Sequence, residues 1–187
     1  MLEQRAVYRQ ENGASLIELR LNSVRQLFNS LDPSPFHEKD LDSDAEEYIV
    51  ETVRELPTQA PFKIRIFLPE HERSAPETAD LSRAIQNYFS YRLWVMRHRL
   101  RDLMARGRDA LLVALAFLAL TFAMREAIYA FTSGTFAEVL AEGLQIVGWV
   151  ALWQPVQIFL YDWQPIRRMI GVYRRLSAVE VEARFGG

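Results

Sequence analysis

Ala110-Leu-Leu-Val-Ala-Leu-Ala-Phe-Leu-Ala-Leu-Thr-Phe-Ala-Met124 runs for fifteen residues without a charge. A bilayer core about 30 Å thick needs roughly 20 residues of helix. The run reaches that length only by continuing through Arg125-Glu126 into the apolar patch 127–131, which puts Arg125 near the outer end of the span. A second stretch, Gly143-Leu-Gln-Ile-Val-Gly-Trp-Val-Ala-Leu-Trp-Gln-Pro-Val-Gln-Ile-Phe-Leu-Tyr161, holds no charge at all, although Gln145, Gln154, Gln157 and Pro155 make it less apolar than the first. Together they predict a transmembrane helical hairpin over 110–161, with spans at about 109–131 and 140–161. The buried core hairpin of a soluble protein would have the same composition, so the flanks have to decide.

Arg83, Arg92, Arg97, Arg99, Arg101, Arg106 and Arg108 precede the first stretch, and Arg167, Arg168, Arg174 and Arg175 follow the second. The connection 132–142 has no Lys or Arg and carries Glu138 and Glu142. Short cytoplasmic loops are enriched in Lys and Arg, and Trp and Tyr collect at membrane interfaces. The arginine asymmetry, with Trp94, Tyr129, Tyr161 and Trp163 near the expected interfaces, therefore predicts a multi-pass protein with both termini cytoplasmic. The overall charge of -2 conceals this division. Residues 1–79 carry nine basic and fifteen acidic side chains, 80–109 seven and three, 110–161 one and three, and 162–187 five and three.

There is no cysteine, which removes disulfides, thiolate metal sites and cysteine lipidation. The first residues lack an apolar core segment, so no cleavable signal peptide is expected. Lysine occurs only at 39 and 63, a bias that the codon usage of a GC-rich bacterial genome accounts for, and the expected location is the bacterial inner membrane.

Outside the hairpin the hydrophobic period is 2. Alternation predicts strands over 4–11 and 14–22 joined at Asn12-Gly13, a turn whose two residues tolerate positive φ. Phe62, Ile64, Ile66 and Leu68 mark a third strand, and Val179, Val181, Ala183 and Phe185 a fourth. A helix over 43–56 is expected between them, with Ser43 and Glu46 as a capping box, Ala45, Ile49, Val53 and Leu56 as its apolar stripe, and Pro57 as its stop. The expected fold class is α+β: a small mainly antiparallel sheet of N-terminal strands plus the C-terminal strand, one covering helix, and an attached two-helix transmembrane hairpin. Four segments follow: a cytoplasmic domain 1–79, a basic amphipathic helix 80–109 with Gly107 as a candidate break, the hairpin 110–161, and a returning helix and strand 162–187. The last strand pairs either with the N-terminal sheet of its own chain or with that of a neighbouring copy.

Within the spans, small faces are expected to seal the hairpin, because lipid supplies no hydrophobic drive for helix association. The candidates are Ala116, Ala119, Ala123, Ala127 and Ala130 on the first helix, and Ala141, Gly148, Ala151 and Pro155 on the second. Arg125 and Glu142 fall at similar heights and form a candidate ion pair, set against simple snorkelling of Arg125 to the interface. Gln154 and Gln157 share a face beside Pro155, which frees a backbone carbonyl, and are read as helix-to-helix hydrogen-bonding groups or the lining of an oligomeric path.

No constellation points to catalysis. Asp40-Leu-Asp-Ser-Asp44 with Glu51 has the rhythm of a calcium loop, but Ala45 stands where the sharp turn needs Gly. Acidic residues at a helix N-terminus account for the run. His37, His71 and His98 have no converging spacing, and no glycine loop would cradle phosphate. No cofactor or metal is expected. Arg97, Arg99, Arg101, Arg106, Arg108, Arg167 and Arg168 form a basic collar whose expected partner is anionic lipid headgroups rather than nucleic acid. The functional expectation is a non-enzymatic, membrane-anchored scaffold or assembly subunit that acts with other protein subunits, as a homo-oligomer or within a membrane complex. The alternative is a small homo-oligomeric channel or transport subunit.

Overall fold

The computed structural model describes residues 8–186. The chain divides into two compact units, Met1–Val95 with Met169–Gly187, and Met96–Arg168. The first is built on a four-stranded sheet in the order β1 (Gln10–Glu11), β2 (Ala14–Arg20), β3 (Phe62–Leu68), β4 (Glu180–Phe185). Asn12 and Gly13 turn the chain between β1 and β2 at φ 52° and 79°. Of the strand expected over 4–11, residues 4–7 lie outside the described residues.

The sheet is mixed, which corrects the mainly antiparallel expectation. Only β1 and β2 run antiparallel; β2 pairs with β3, and β3 with β4, in parallel. Alternation of apolar and polar residues sets which side chains share a face but is blind to strand direction. Direction is set by the connections, since parallel neighbours require a crossover. Both crossovers are helical: β2 reaches β3 through α1 (Ser43–Glu55), and β3 reaches β4 through α2 (Pro76–Phe131) and α5 (Trp163–Leu176). The apolar hairpin is thus an insertion within one crossover, and the C-terminal strand pairs within its own chain.

Register aligns Ile17 with Ile64 and Val181, and Leu19 with Ile66 and Ala183, on the helix-covered face. Ile17, Ile64 and Ile66 are at most 1% exposed. Three helical segments supply the buried cover: Ile49 and Val53 from α1, Leu81, Ile85 and Phe89 from the start of α2, and Ile170, Tyr173 and Leu176 from α5. Each fully buried aliphatic or aromatic side chain contributes about 1.5–3 kcal/mol. The N-terminus of α1 is held by Asp42, whose Oδ1 accepts the Asp44 N–H at 3.0 Å, and not by the expected Ser43 and Glu46 capping box. A cap one residue earlier leaves the Glu46 carboxylate free for other partners.

The opposite face of the sheet is charged. Arg65, with a side chain only 6% exposed, sits among Glu11, Glu18 and Glu182. Lys63 bonds Glu180 at 2.7 Å and Arg184 bonds Glu182 at 2.8 Å.

The second unit holds the hairpin. α2 passes Gly107 without a break, residues 132–134 turn the chain with Gly134 at φ 110°, and α3 (Thr135–Val150) returns. A turn at Ala151–Leu152 interrupts the return before α4 (Trp153–Gln157), and a π-helical turn, Ile158–Asp162, precedes α5. The helical runs Pro76–Phe131 and Thr135–Leu176 are both long and apolar enough to cross a membrane. Only 11% and 17% of their most apolar stretches are buried, whereas the core helices of a soluble protein would be mostly covered.

Candidate functional site

Two glycines set how the hairpin closes. A Cβ on Gly148 would overlap Thr121 Oγ1 and lie 3.0 Å from Leu118 Cδ1, and one on Gly107 would lie 2.8 Å from Ile158 Cγ2. Each glycine is a notch filled by a side chain of the facing helix, the close approach by which apolar helices gain dispersion contact. Thr121 is 1% exposed and returns its hydroxyl proton to the Leu118 carbonyl at 2.7 Å, so its polar group is satisfied inside its own helix. Ala114, Ala137 and Ala141 are also buried, as is Pro155.

Seven-residue spacing therefore defines both inner faces: Gly107, Ala114 and Thr121 on α2, and Ala141, Gly148 and Pro155 on the return. Of the seal expected on the second helix, Ala141, Gly148 and Pro155 are buried, whereas Ala151 is half-buried. The alanine stripe expected on the first is not found: Ala116, Ala119, Ala123, Ala127 and Ala130 are all exposed. Two residues along a helix is about 200° of rotation, so a stripe beginning at Ala116 faces away from one beginning at Ala114. The signal in the sequence is the seven-residue repeat of small residues that includes Gly107, which a helix break at that glycine would interrupt.

The outward faces are apolar. Of the large hydrophobic side chains exposed among the described residues, all but Leu31, Tyr48, Tyr91 and Trp94 lie between Leu112 and Tyr161. A surface this continuous far exceeds what a water-solvated monomer exposes. Gln154 and Gln157 are exposed on the same outer surface, and neither side-chain amide has a hydrogen-bond partner among the described residues. Near them the backbone is irregular because Pro155 has no N–H to give. The π-helical turn that follows shifts the bonding register, and side chains satisfy the carbonyls it exposes: Trp163 Nε1 donates to Phe159 O at 2.8 Å and Gln164 Nε2 to Leu160 O at 2.6 Å.

The seven collar arginines, Arg97, Arg99, Arg101, Arg106, Arg108, Arg167 and Arg168, are exposed. Contact of Gly107 with Ile158, and of Thr121 with Gly148, fixes an antiparallel register that brings both arginine groups to the same end of the hairpin. Arg167 lies over the Trp163 ring at 5.4 Å and Arg108 pairs with Asp109 at 3.2 Å. At the other end, the expected ion pair between Arg125 and Glu142 does not form. Arg125 approaches its neighbour Glu126 at 3.4 Å and lies over the Tyr129 ring at 5.3 Å, while Glu142 is exposed. Glu142 follows the fully buried Ala141, and one residue is about 100° of helix rotation, which turns its carboxylate off the packed face.

The first unit contains a cluster that the sequence reading missed. Glu46 on α1 accepts the Tyr88 hydroxyl at 2.6 Å and the Tyr173 hydroxyl at 3.0 Å, and its Oε1 lies 2.8 Å from Arg92 Nε. Arg92 also donates to Tyr173 Oη at 3.3 Å and lies over that ring at 5.6 Å. Burial first, and for Tyr88 then the bond to Glu46, pushes both phenols above the usual tyrosine range, so both are neutral donors at physiological pH. One carboxylate thereby joins α1 to α2 and α5, the helices that leave the sheet unit for the hairpin and come back from it. The partners stand at 46, 88, 92 and 173, a spacing with no local signature. In the sequence Glu46 reads as the capping-box partner of Ser43, and only the cap at Asp42 shows its carboxylate to be available.

No protein-family model, curated protein or solved structure matches this chain, so its function rests on the residues described above.

Proposed function

We propose that this protein is a non-enzymatic, membrane-anchored module of the bacterial inner membrane: a small α+β domain held at the cytoplasmic leaflet by a transmembrane hairpin, serving as a scaffold or assembly subunit. The observation that carries this reading is the exposed apolar hairpin inserted between neighbouring strands of one sheet, with its arginines gathered at the end nearest the sheet-bearing segments in sequence. Hydrocarbon is the solvent in which such a surface is stable. The arginines fit the anionic headgroups of the inner leaflet, each contributing about 1 kcal/mol near that surface. With β3 before the hairpin and β4 after it in one sheet, insertion of the hairpin holds the sheet unit beside the membrane at two covalent points.

The absence of cysteine permits a direct test. A membrane-impermeant maleimide applied to intact cells is expected to label Ser133→Cys and to reach Thr58→Cys only after permeabilisation. Labelling of both from outside, or recovery of the protein in the soluble fraction without detergent, overturns the membrane reading. Gentle detergent extraction is expected to bring down a partner protein at fixed stoichiometry; extraction as a homo-oligomer alone counts against the scaffold role. A second reading, a homo-oligomeric channel subunit, draws on the outward Gln154 and Gln157. Solute flux in reconstituted vesicles that disappears in Gln154→Leu/Gln157→Leu would favour it.

A further inference from the structure

Gly107 and Gly148 are filled notches, but Gly143 is an open one: a Cβ there would meet nothing within 4 Å. It opens onto a shallow apolar groove of about 360 Å³ on α3, lined by Phe136, Leu140, Leu144 and Val147. The same line continues down the return helix at alternating steps of four and three, through Gly143, Val147, Val150, Gln154 and Gln157. Every one of these five residues is exposed, despite the turn at Ala151–Leu152. This stripe is distinct from the inner one that meets Gly107 and Thr121.

From this arrangement we infer that the chain pairs with a second copy of itself along the stripe from Gly143 to Gln157, with Gln154 and Gln157 hydrogen-bonded across the pair. The inference rests on the membrane reading above. Hydrocarbon cannot satisfy a carboxamide, and the two amides have no partner among the described residues. A two-fold axis along the membrane normal sets identical residues of two copies at identical depth. A carboxamide both donates and accepts, so glutamine facing glutamine satisfies itself. A foreign helix would have to bring a matching polar group to the same depth; a second copy brings it necessarily. The apolar remainder of the stripe and the open glycine notch allow the backbones to approach as they do inside the hairpin, and a repeat of 3.5 residues favours left-handed packing. The alanine stripe of α2 is small but wholly apolar, and lipid satisfies it as it stands.

The test is a single-cysteine scan in native membranes, for which the cysteine-free chain is a ready background. Oxidative crosslinking to a dimer is expected to peak at Val150→Cys and Gln154→Cys and to fall to background at Leu115→Cys, Ala119→Cys and Ala123→Cys. In lipid nanodiscs, Gln154→Leu/Gln157→Leu is expected to weaken the dimer by about tenfold, the order that lost interhelical amide bonds produce. Gln154→Asn/Gln157→Asn, which keeps the amides, is expected to retain it. Crosslinking that peaks on the alanine stripe, a monomer in nanodiscs, or a crosslink from position 154 to a different protein overturns the inference. The Ser133 and Thr58 labels separate this failure from that of the membrane reading: correct labelling without a dimer sinks only the pairing.

Discussion

Gly148 is the most tightly enclosed glycine of the hairpin among the described residues, and its lack of a Cβ is a packing requirement rather than a conformational one. The neighbour that a side chain would meet is the β-branched Thr121, stiff at χ1 and already bonded to Leu118 O, so it has little freedom to yield. Gly148→Val is therefore expected to destabilise the hairpin by about 1–3 kcal/mol, the usual cost of overpacking, read as a lower thermal midpoint in detergent. Adding Thr121→Ala should recover part of the loss; full additivity of the two changes would contradict the contact. Tyr173 is a second decisive residue. Tyr173→Phe leaves the ring against Phe89 but removes a donor to the Glu46 carboxylate. A loss of about 1.5–3 kcal/mol is expected, as for hydrogen bonds to charged groups, measured by denaturant unfolding followed on the sheet unit. Neither position could be ranked from the sequence, because what matters at each is a neighbour 27 or 127 residues away.

Among the elements, β3 holds the sheet together, pairing on both sides, and its Arg65 binds carboxylates contributed by β1, β2 and β4. The bond from Arg65 lowers the Glu11 carboxyl below its ordinary value of 4.5. Glu182 is lowered likewise, first by Arg184 and then by Arg65. For groups whose folded-state pKa is depressed, the linked stability is fully present above the ordinary value and disappears as pH falls through the folded one. The β3 amides are thus expected to lose hydrogen-exchange protection at acidic pH below 4.5, with protection held constant above neutrality. Arg65→Met should flatten that dependence; an unchanged pH profile would show that the carboxylates do not feel Arg65. β4 is the edge strand on the C-terminal side, and ending the chain at residue 178 would uncover the whole edge of β3. Unpaired edges template aggregation, so the shortened protein is expected to elute as aggregate in detergent at concentrations where the full chain is monodisperse.

At the scale of the whole molecule, the arginines at one end of the hairpin are the feature with the largest consequence for placement. On the membrane reading, reversing Arg97, Arg99 and Arg101 to Glu removes three attractive charges and adds three repulsive ones beside an anionic surface. At about 1 kcal/mol per basic side chain, orientation should then lose its bias, seen as Ser133→Cys partly protected from external maleimide in intact cells. Unaltered labelling would show that the remaining basic residues, Arg167 and Arg168 among them, suffice to set topology. The insertion of the hairpin within a crossover adds a mechanical consequence. On the membrane reading the sheet is completed only after the hairpin has been made, because β4 follows the hairpin in the chain and pairs directly with β3.

The sequence by itself determined the periods: two uncharged helical stretches, the arginine asymmetry about them, the Asn12-Gly13 turn, and which residues of 62–68 and 180–185 point to the core. These are legible because one residue's environment repeats at a fixed step along its own element. Tertiary structure alone decided the quantities that relate one element to another. Strand direction came from helical crossovers, the inner face of α2 from the notches at Gly107 and Gly148, the separation of Arg125 from Glu142 from a 100° turn past Ala141, and the Glu46 cluster from the convergence of three helices. Periodicity carries the phase of an element about its own axis, but the choice among several possible faces is made by which neighbour fits closest, and that fit exists only once the chain is packed.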